Sequence, residues 1–264
     1  MTPLNAFLLT VAIVVAAKTL AWLVQLSTRN GGLVDSVWAF TLGGLAVFYA
    51  WAGDAPLILR IVVALMGGIW GLRLGVHLFI RNWGKTEDWR YADFRRRWGA
   101  NADFNMFWFF QFQNLFTLML SASAFLPLVY RDGVPPFACL VLALLIFLAS
   151  IVGEGIADAQ MERFRSNPDN RGQVCRAGLW RWSRHPNYFF ECLHWVAYVP
   201  LAWGMDLWWL TLGAPLVMAF LLMKMSGVPL MEKEMMQRKP GYAEYVRTTS
   251  ALIPWPPRKA GFGR

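Results

Sequence analysis

Cysteine, histidine and charge are all scarce in this chain, and each scarcity removes a class of protein. Cysteine occurs only at Cys139, Cys175 and Cys192, far apart and without a CxxC pair, which leaves neither a disulfide framework nor a cysteine zinc site. Histidine occurs only at His77, His185 and His194, with no HExxH or HxxxH spacing, so no metal centre is expected. Charged residues make up 16% of the 264 positions, against 57% hydrophobic ones. That is far more apolar surface than one soluble core can bury, and it points to the membrane. The net charge of +9 sits in short links between apolar runs, so the expected partners of the cations are lipid headgroups and a phosphorylated ligand, with no nucleic acid.

Crossing about 30 Å of hydrocarbon takes roughly 20 apolar helical residues. Runs near that length lie at 4–26, 34–52, 56–80, 106–130, 136–157, 188–204 and 206–229. The first contains Lys18, lacks the marks of a cleaved leader and is expected to remain as a membrane helix. The sequence thus predicts an all-α, multi-pass membrane bundle of about seven helices, a single domain over 1–264. The long links at 81–104 and 163–187 are rich in arginine, while the opposite links carry Asp54, Asp132 and Asp206. The positive-inside rule then places the N-terminus outside and the long loops and C-terminus in the cytoplasm.

An ionisable group within or beside a span is expensive and is a functional candidate by default. Several of them share helix faces. In "GEGIADAQMERFR", Glu154, Asp158, Glu162 and Arg165 recur at helical spacing, and Asn187, Glu191 and His194 do the same in "RHPNYFFECLH". Lys224 and Glu232 repeat the pattern more weakly near the end of the last run. These stripes either receive an anionic ligand or pair with one another while the arginines reach for headgroups. Pro186 suits the first turn of a helix, with Ser183 as an expected cap, and such a helix start favours phosphate. Arg73, set with Trp70 and His77 at spacings of three and four, is either an anion ligand or a snorkelling flank. Asp35, just inside the second run, is either a helix cap or an acid kept protonated by an apolar site. "EDWRY", at Glu87–Tyr91, reads as a charge-paired segment that orders its loop.

The blocks "GLWRWSRHPNYFFE", "ADAQMERFR" and "GYAEYVRTTSALIPW" together resemble the steroid 5α-reductase family, and more closely its bacterial DUF1295-type membrane relatives. The likeness is best over 150–256 and looser over 30–100. A relaxed form of the RHPNY block also occurs in isoprenylcysteine carboxyl methyltransferases. The resemblance implies a multi-pass membrane oxidoreductase, in the cell membrane if bacterial, with NADPH held on the cytoplasmic side. By motif position Asp158 and Arg165 match contacts to the adenine and phosphate part, and Asn187 and Glu191 match contacts to the nicotinamide part. Arg73, Arg176, Arg184, His185, Tyr188, Glu232 and Tyr245 complete the implied cofactor set. Asp35 falls near the family's catalytic glutamate, and Trp70 falls where the steroid enzymes carry a tyrosine. Glu154, Lys224, Val228 and Glu232 depart from the family's asparagine, arginine, histidine and tyrosine. The implied activity is NADPH-dependent reduction of an enone in a lipid, such as a 3-oxo-Δ4 steroid, with Asp35 and then Trp70 as donors to the carbonyl. The rival expectations are an S-adenosylmethionine-dependent methyltransferase and a lipid-binding or transport bundle without catalysis.

Overall fold

A computed structural model describes residues 1–225 and 227–258. Among the described residues the chain is helical and forms no strand, only one isolated bridge between Ser183 and Ser250. Contacts group the single expected stretch of 1–264 into two compact units, 1–136 with 202–214, and 137–201 with 215–264.

In the first unit α1 (Pro3–Thr28), α2 (Leu33–Ala52) and α3 (Leu57–Asn82) are followed by α4 (Trp89–Trp98), α5 (Ala102–Ala124) and α6 (Leu126–Val129). Glycine sets the approach of α2 to α3. A Cβ at Gly71 would stand 2.5 Å from the Cα of Gly43 and 2.8 Å from the Ala39 carbonyl oxygen, so the two backbones touch as small-residue membrane packing permits. α1 turns a polar edge inward, with Thr10, Lys18 and Gln25 buried. Its partners come from α5: Lys18 Nζ donates to Gln113 Oε1 at 2.8 Å, and Gln111 Nε2 donates to Thr19 Oγ1 at 3.2 Å. Without water to hydrate them, such groups must find one another.

The second unit holds α7 (Phe137–Ser166), α8 (Pro186–Val196), most of α9 (Gly213–Phe220), α10 (Val228–Arg238) and α11 (Tyr242–Thr248). α7 and α8 meet at Gly153, where a Cβ would strike the Phe190 ring at 2.2 Å.

Among the described residues six stretches are long and apolar enough to cross a membrane, at Pro3–Thr28, Leu33–Ala52, Leu57–Asn82, Trp89–Val129, Phe137–Ser166 and Trp208–Arg238. This is the pattern of an integral membrane protein. The expected span at 188–204 is not among them. α8 stops at Val196, giving 11 helical residues, about 16 Å at 1.5 Å per residue. Pro200 explains the stop: it lacks an N–H, and it bars the α conformation from Val199 before it. The link expected as a loop at 81–104 carries the amphipathic α4. The last apolar run is a 3-10 turn, α9 and a π turn in succession rather than one regular helix.

Candidate functional site

The residues singled out in the sequence divide between the units. Asp35, Trp70, Arg73, His77 and the Glu87–Tyr91 segment belong to the first, and the candidates from Glu154 to Glu191 with Glu232 and Tyr245 to the second.

Asp35 lies in the first turn of α2. Its Oδ1 accepts from the Tyr91 hydroxyl at 2.5 Å and its Oδ2 from Arg90 Nη2 at 2.9 Å. Both oxygens therefore accept, and the Tyr91 hydroxyl is the donor of the pair. Arg90 is fixed from behind by Asp88, Nε to Oδ1 at 2.9 Å, and its guanidinium lies 5.4 Å from the centre of the Tyr91 ring. Asp88 also caps α4 by accepting from the Arg90 amide and pairs with Arg81 at 2.9 Å. Burial pushes the Asp88 carboxyl up, but the hydrogen bonds and charge of Arg90, with Arg81 beside them, reverse this and hold it below its ordinary value. Lys18 Nζ reaches the carbonyl of Val34, the residue before Asp35, at 3.4 Å. Trp70 is fully buried and meets the Trp38 ring edge-on at 6.0 Å. Arg73 is half-buried on α3.

In the second unit polar contacts gather at the start of α8. Arg184 Nε donates to Glu232 Oε1 at 2.7 Å, and His185 Nε2 lies 3.1 Å from the same oxygen. Arg184 Nη1 donates to the carbonyls of Val246 and Thr249. Tyr245 Oη donates to the carbonyls of Trp180 and Ser183, and burial pushes its hydroxyl up. Arg176 pairs with Glu244 at 3.0 Å and lies 5.6 Å from the Tyr245 ring centre. The two sequence blocks that carry the family likeness dock on each other: Arg184 N donates to Ser250 O at 2.8 Å, Ser183 Oγ to Leu252 O at 2.8 Å, and Trp255 N to Trp182 O at 2.9 Å. Ser183 was expected to cap α8. The cap position is His185, whose amide donates to Ser183 Oγ at 3.1 Å, so the serine orders the turn before the helix.

Along α8, Tyr188 stacks on His185 with ring centres 5.2 Å apart. Glu191 accepts from Trp195 Nε1 at 3.2 Å, and His194 Nε2 faces Tyr198 Oη at 3.3 Å. Asn187 differs from these. Its Oδ1 is buried and meets no hydrogen-bond donor among the described residues, a condition a native interior rarely tolerates. Asp158 is half-buried and Arg165 exposed on α7. An amide oxygen that meets no donor among the described residues, at the start of α8, is placed to accept an N–H or O–H from a ligand.

Sequence reasoning missed Arg90 and Tyr91 as partners of Asp35. "EDWRY" was legible as a charge-paired segment, but the acid it serves lies 55 and 56 positions away, and no local spacing signals that.

No solved structure matches the chain. An uncharacterized protein of Schizosaccharomyces pombe is 27% identical over 206 residues, 67% of this chain. The match spans 59% of that relative's length. The family described as a protein of unknown function, DUF1295, matches residues 21–249. With that match over most of its length, the chain belongs to the DUF1295 family.

Proposed function

We propose that this protein is an NADPH-dependent membrane reductase of an enone in a lipid, a 3-oxo-Δ4 steroid being the model substrate, with the cofactor on the cytoplasmic side. The observation that carries the reading is Asn187 Oδ1, a buried acceptor at the start of α8 that meets no donor among the described residues. A carboxamide N–H satisfies it, and Glu191 stands one turn further along. Arg184, His185, Glu232 and Tyr245 are engaged with one another and with nearby carbonyls, so their part is to fix the start of α8. Tyr188, stacked on His185, extends that wall. Asp158, Arg165 and Arg176 serve the adenine and phosphate part, and Arg73 is the further cation of the set.

When bound, NADPH supplies a hydride to the β carbon of the enone. The protein polarises the carbonyl and stabilises the enolate that forms. Asp35 does this with Tyr91: the single hydroxyl proton, donated to the Asp35 carboxylate in this structure, turns to the carbonyl oxygen of a bound enone. Arg90 holds the acid in place, and buried Trp70 lines the apolar surroundings.

The test is ligand-dependent stability of the purified protein. A ligand at about 100 times its Kd adds about 2.7 kcal/mol to a folded state that alone binds it. NADPH is expected to raise the melting temperature more than NADH or S-adenosylmethionine, and Asn187→Ala to lose that rise. Stabilisation by S-adenosylmethionine and not by NADPH refutes the reading. Mass spectrometry of the product formed from a 3-oxo-Δ4 steroid checks the reaction itself.

A further inference from the structure

α1 is an apolar helix that carries a single charged residue, Lys18, near its middle and 1% exposed. A cation inside a membrane span is costly and marks a function by default. The two acceptors of Lys18 Nζ are neutral: Gln113 Oε1 on α5 at 2.8 Å, and Val34 O in the first turn of α2 at 3.4 Å. Neutral side chains would suffice to hold α1 to α5, as Gln111 Nε2 and Thr19 Oγ1 do one position along. The ammonium therefore calls for another explanation, and the carboxylate whose charge acts on it is Asp35.

Both acceptors lead to the Asp35–Tyr91 pair. Val34 is the residue before Asp35. Gln113 lies one helical turn beyond Phe109 and Phe110, whose rings meet that of Tyr91 with centres 6.2 and 6.4 Å apart. Val34, Tyr91 and Phe110 share one buried core with Ala21, a turn from Lys18 on α1. The other flank of the pair is closed separately: Gly31 N donates to Glu87 Oε1 at 2.8 Å, and a Cβ at Gly31 would stand 3.0 Å from Tyr91 Cδ1. Contacts thus run in a ring from Asp35 to Tyr91, through the α5 aromatics to Gln113, and through Lys18 back to Val34. Lys18 is the link in that ring contributed by α1.

We infer that Lys18 is a positioning residue for the Asp35–Tyr91 pair. The inference rests on the proposed enone reduction and adds to it a residue of α1. A hydroxyl has one proton, and here that of Tyr91 goes to Asp35 Oδ1. Turning it to an enone oxygen strips Oδ1 of its donor, while Arg90 keeps its bond to Oδ2. The carboxylate is then less compensated than before. The charge of Lys18, acting through a low-dielectric interior, offsets this, and its bond to Val34 O holds the first turn of α2 while the hydroxyl turns. The compensation is needed only once the hydroxyl has turned and Lys18 does not touch the substrate, so the effect falls on turnover rather than on binding.

The experiment uses the full chain in detergent with NADPH and a 3-oxo-Δ4 steroid. Lys18→Met is expected to lower kcat about tenfold, less than the roughly 10²–10³ lost with a donor that touches the reacting oxygen, and to leave KM and stabilisation by NADPH unchanged. Lys18→Arg, which keeps a cation, should recover part of kcat. Thr19→Val removes the neighbouring α1–α5 bond and should keep the parent kcat. If Lys18→Met fails to fold, Lys18→Gln carries the same comparison. In a Tyr91→Phe background the lysine change should have little further effect, because it acts through the hydroxyl. An equal loss in both backgrounds, or a parent kcat in Lys18→Met, overturns the inference. A second readout needs no turnover. With 3-fluorotyrosine at the seven tyrosines, the Tyr91 fluorine resonance is identified by its loss in Tyr91→Phe; Lys18→Met should shift it and Thr19→Val should not. An unshifted resonance also overturns the inference. If the parent reduces no enone while Lys18→Met shifts the Tyr91 resonance, the reductase reading falls and the hold of Lys18 on the pair stands.

Discussion

Replacing Glu232 by Gln tests whether an ion pair organises the start of α8. The Arg184 and Glu232 side chains are 9% and 13% exposed, with Nε 2.7 Å from Oε1. Two unit charges about 4 Å apart at an effective dielectric near 20 attract by about 4 kcal/mol, and the loss of hydration offsets part of that. Measured couplings for close charge pairs begin at about 1.5 kcal/mol, so a coupling of about 2 kcal/mol is expected here. That is roughly thirtyfold in the unfolding equilibrium. The assay is a double-mutant cycle of Glu232→Gln, Arg184→Gln and the double variant, read from denaturant unfolding in detergent. Arg184→Gln should cost more than Glu232→Gln, because it also strips donors from the carbonyls of Val246 and Thr249. A coupling below about 0.5 kcal/mol, the scale of exposed pairs, refutes the ion pair as the organising contact and leaves those carbonyl bonds in its place.

Asp88→Asn keeps the α4 cap, since asparagine caps as well as aspartate, but removes a carboxylate held below its ordinary value. Stability from such a group is present above the unfolded value of about 3.9 and is lost as pH falls through the lower folded value. The variant should therefore melt below the parent at pH 7, by a deficit of about 1.5 kcal/mol that closes as both are acidified. A deficit unchanged down to pH 3 would contradict this. Gly71→Ala drives a methyl into Gly43 and the Ala39 carbonyl and should cost about 1–3 kcal/mol, whereas Gly44→Ala enters open space and should be neutral in the same unfolding assay. Tyr91→Phe and Asp35→Asn should each slow enone turnover by about a hundredfold or more while sparing stabilisation by NADPH. Activity near the parent level would remove the pair from the chemistry.

The long apolar helices were legible because hydropathy is a local property: about 20 successive apolar residues need no partner to be recognised. The reach of α7 into its polar stripe and the start of α8 at Pro186 were legible for the same reason, since periodicity and proline act within one or two turns. The expected span at 188–204 failed because composition averages over the window while Pro200 acts at one point, ending the helix at Val196.

What the chain determines by itself is therefore its helical membrane class, its division into spans and basic links, and the helix faces on which Asn187 and Glu191 or Asp158 and Arg165 recur. Tertiary structure alone decided which of these residues are occupied. It set Arg184 and His185 on Glu232, 47 to 48 positions away, put Arg90 and Tyr91 on Asp35, and left Asn187 Oδ1 without a donor among the described residues. It also brought Lys239, a residue with no local pattern to mark it, onto the loop after α7, with Nζ donating to Gln173 O at 2.7 Å. The physical reason is range. Hydropathy and helix periodicity are summed along the backbone, whereas charge pairing and buried hydrogen bonds depend on which distant side chains the packed helices bring within about 3 Å.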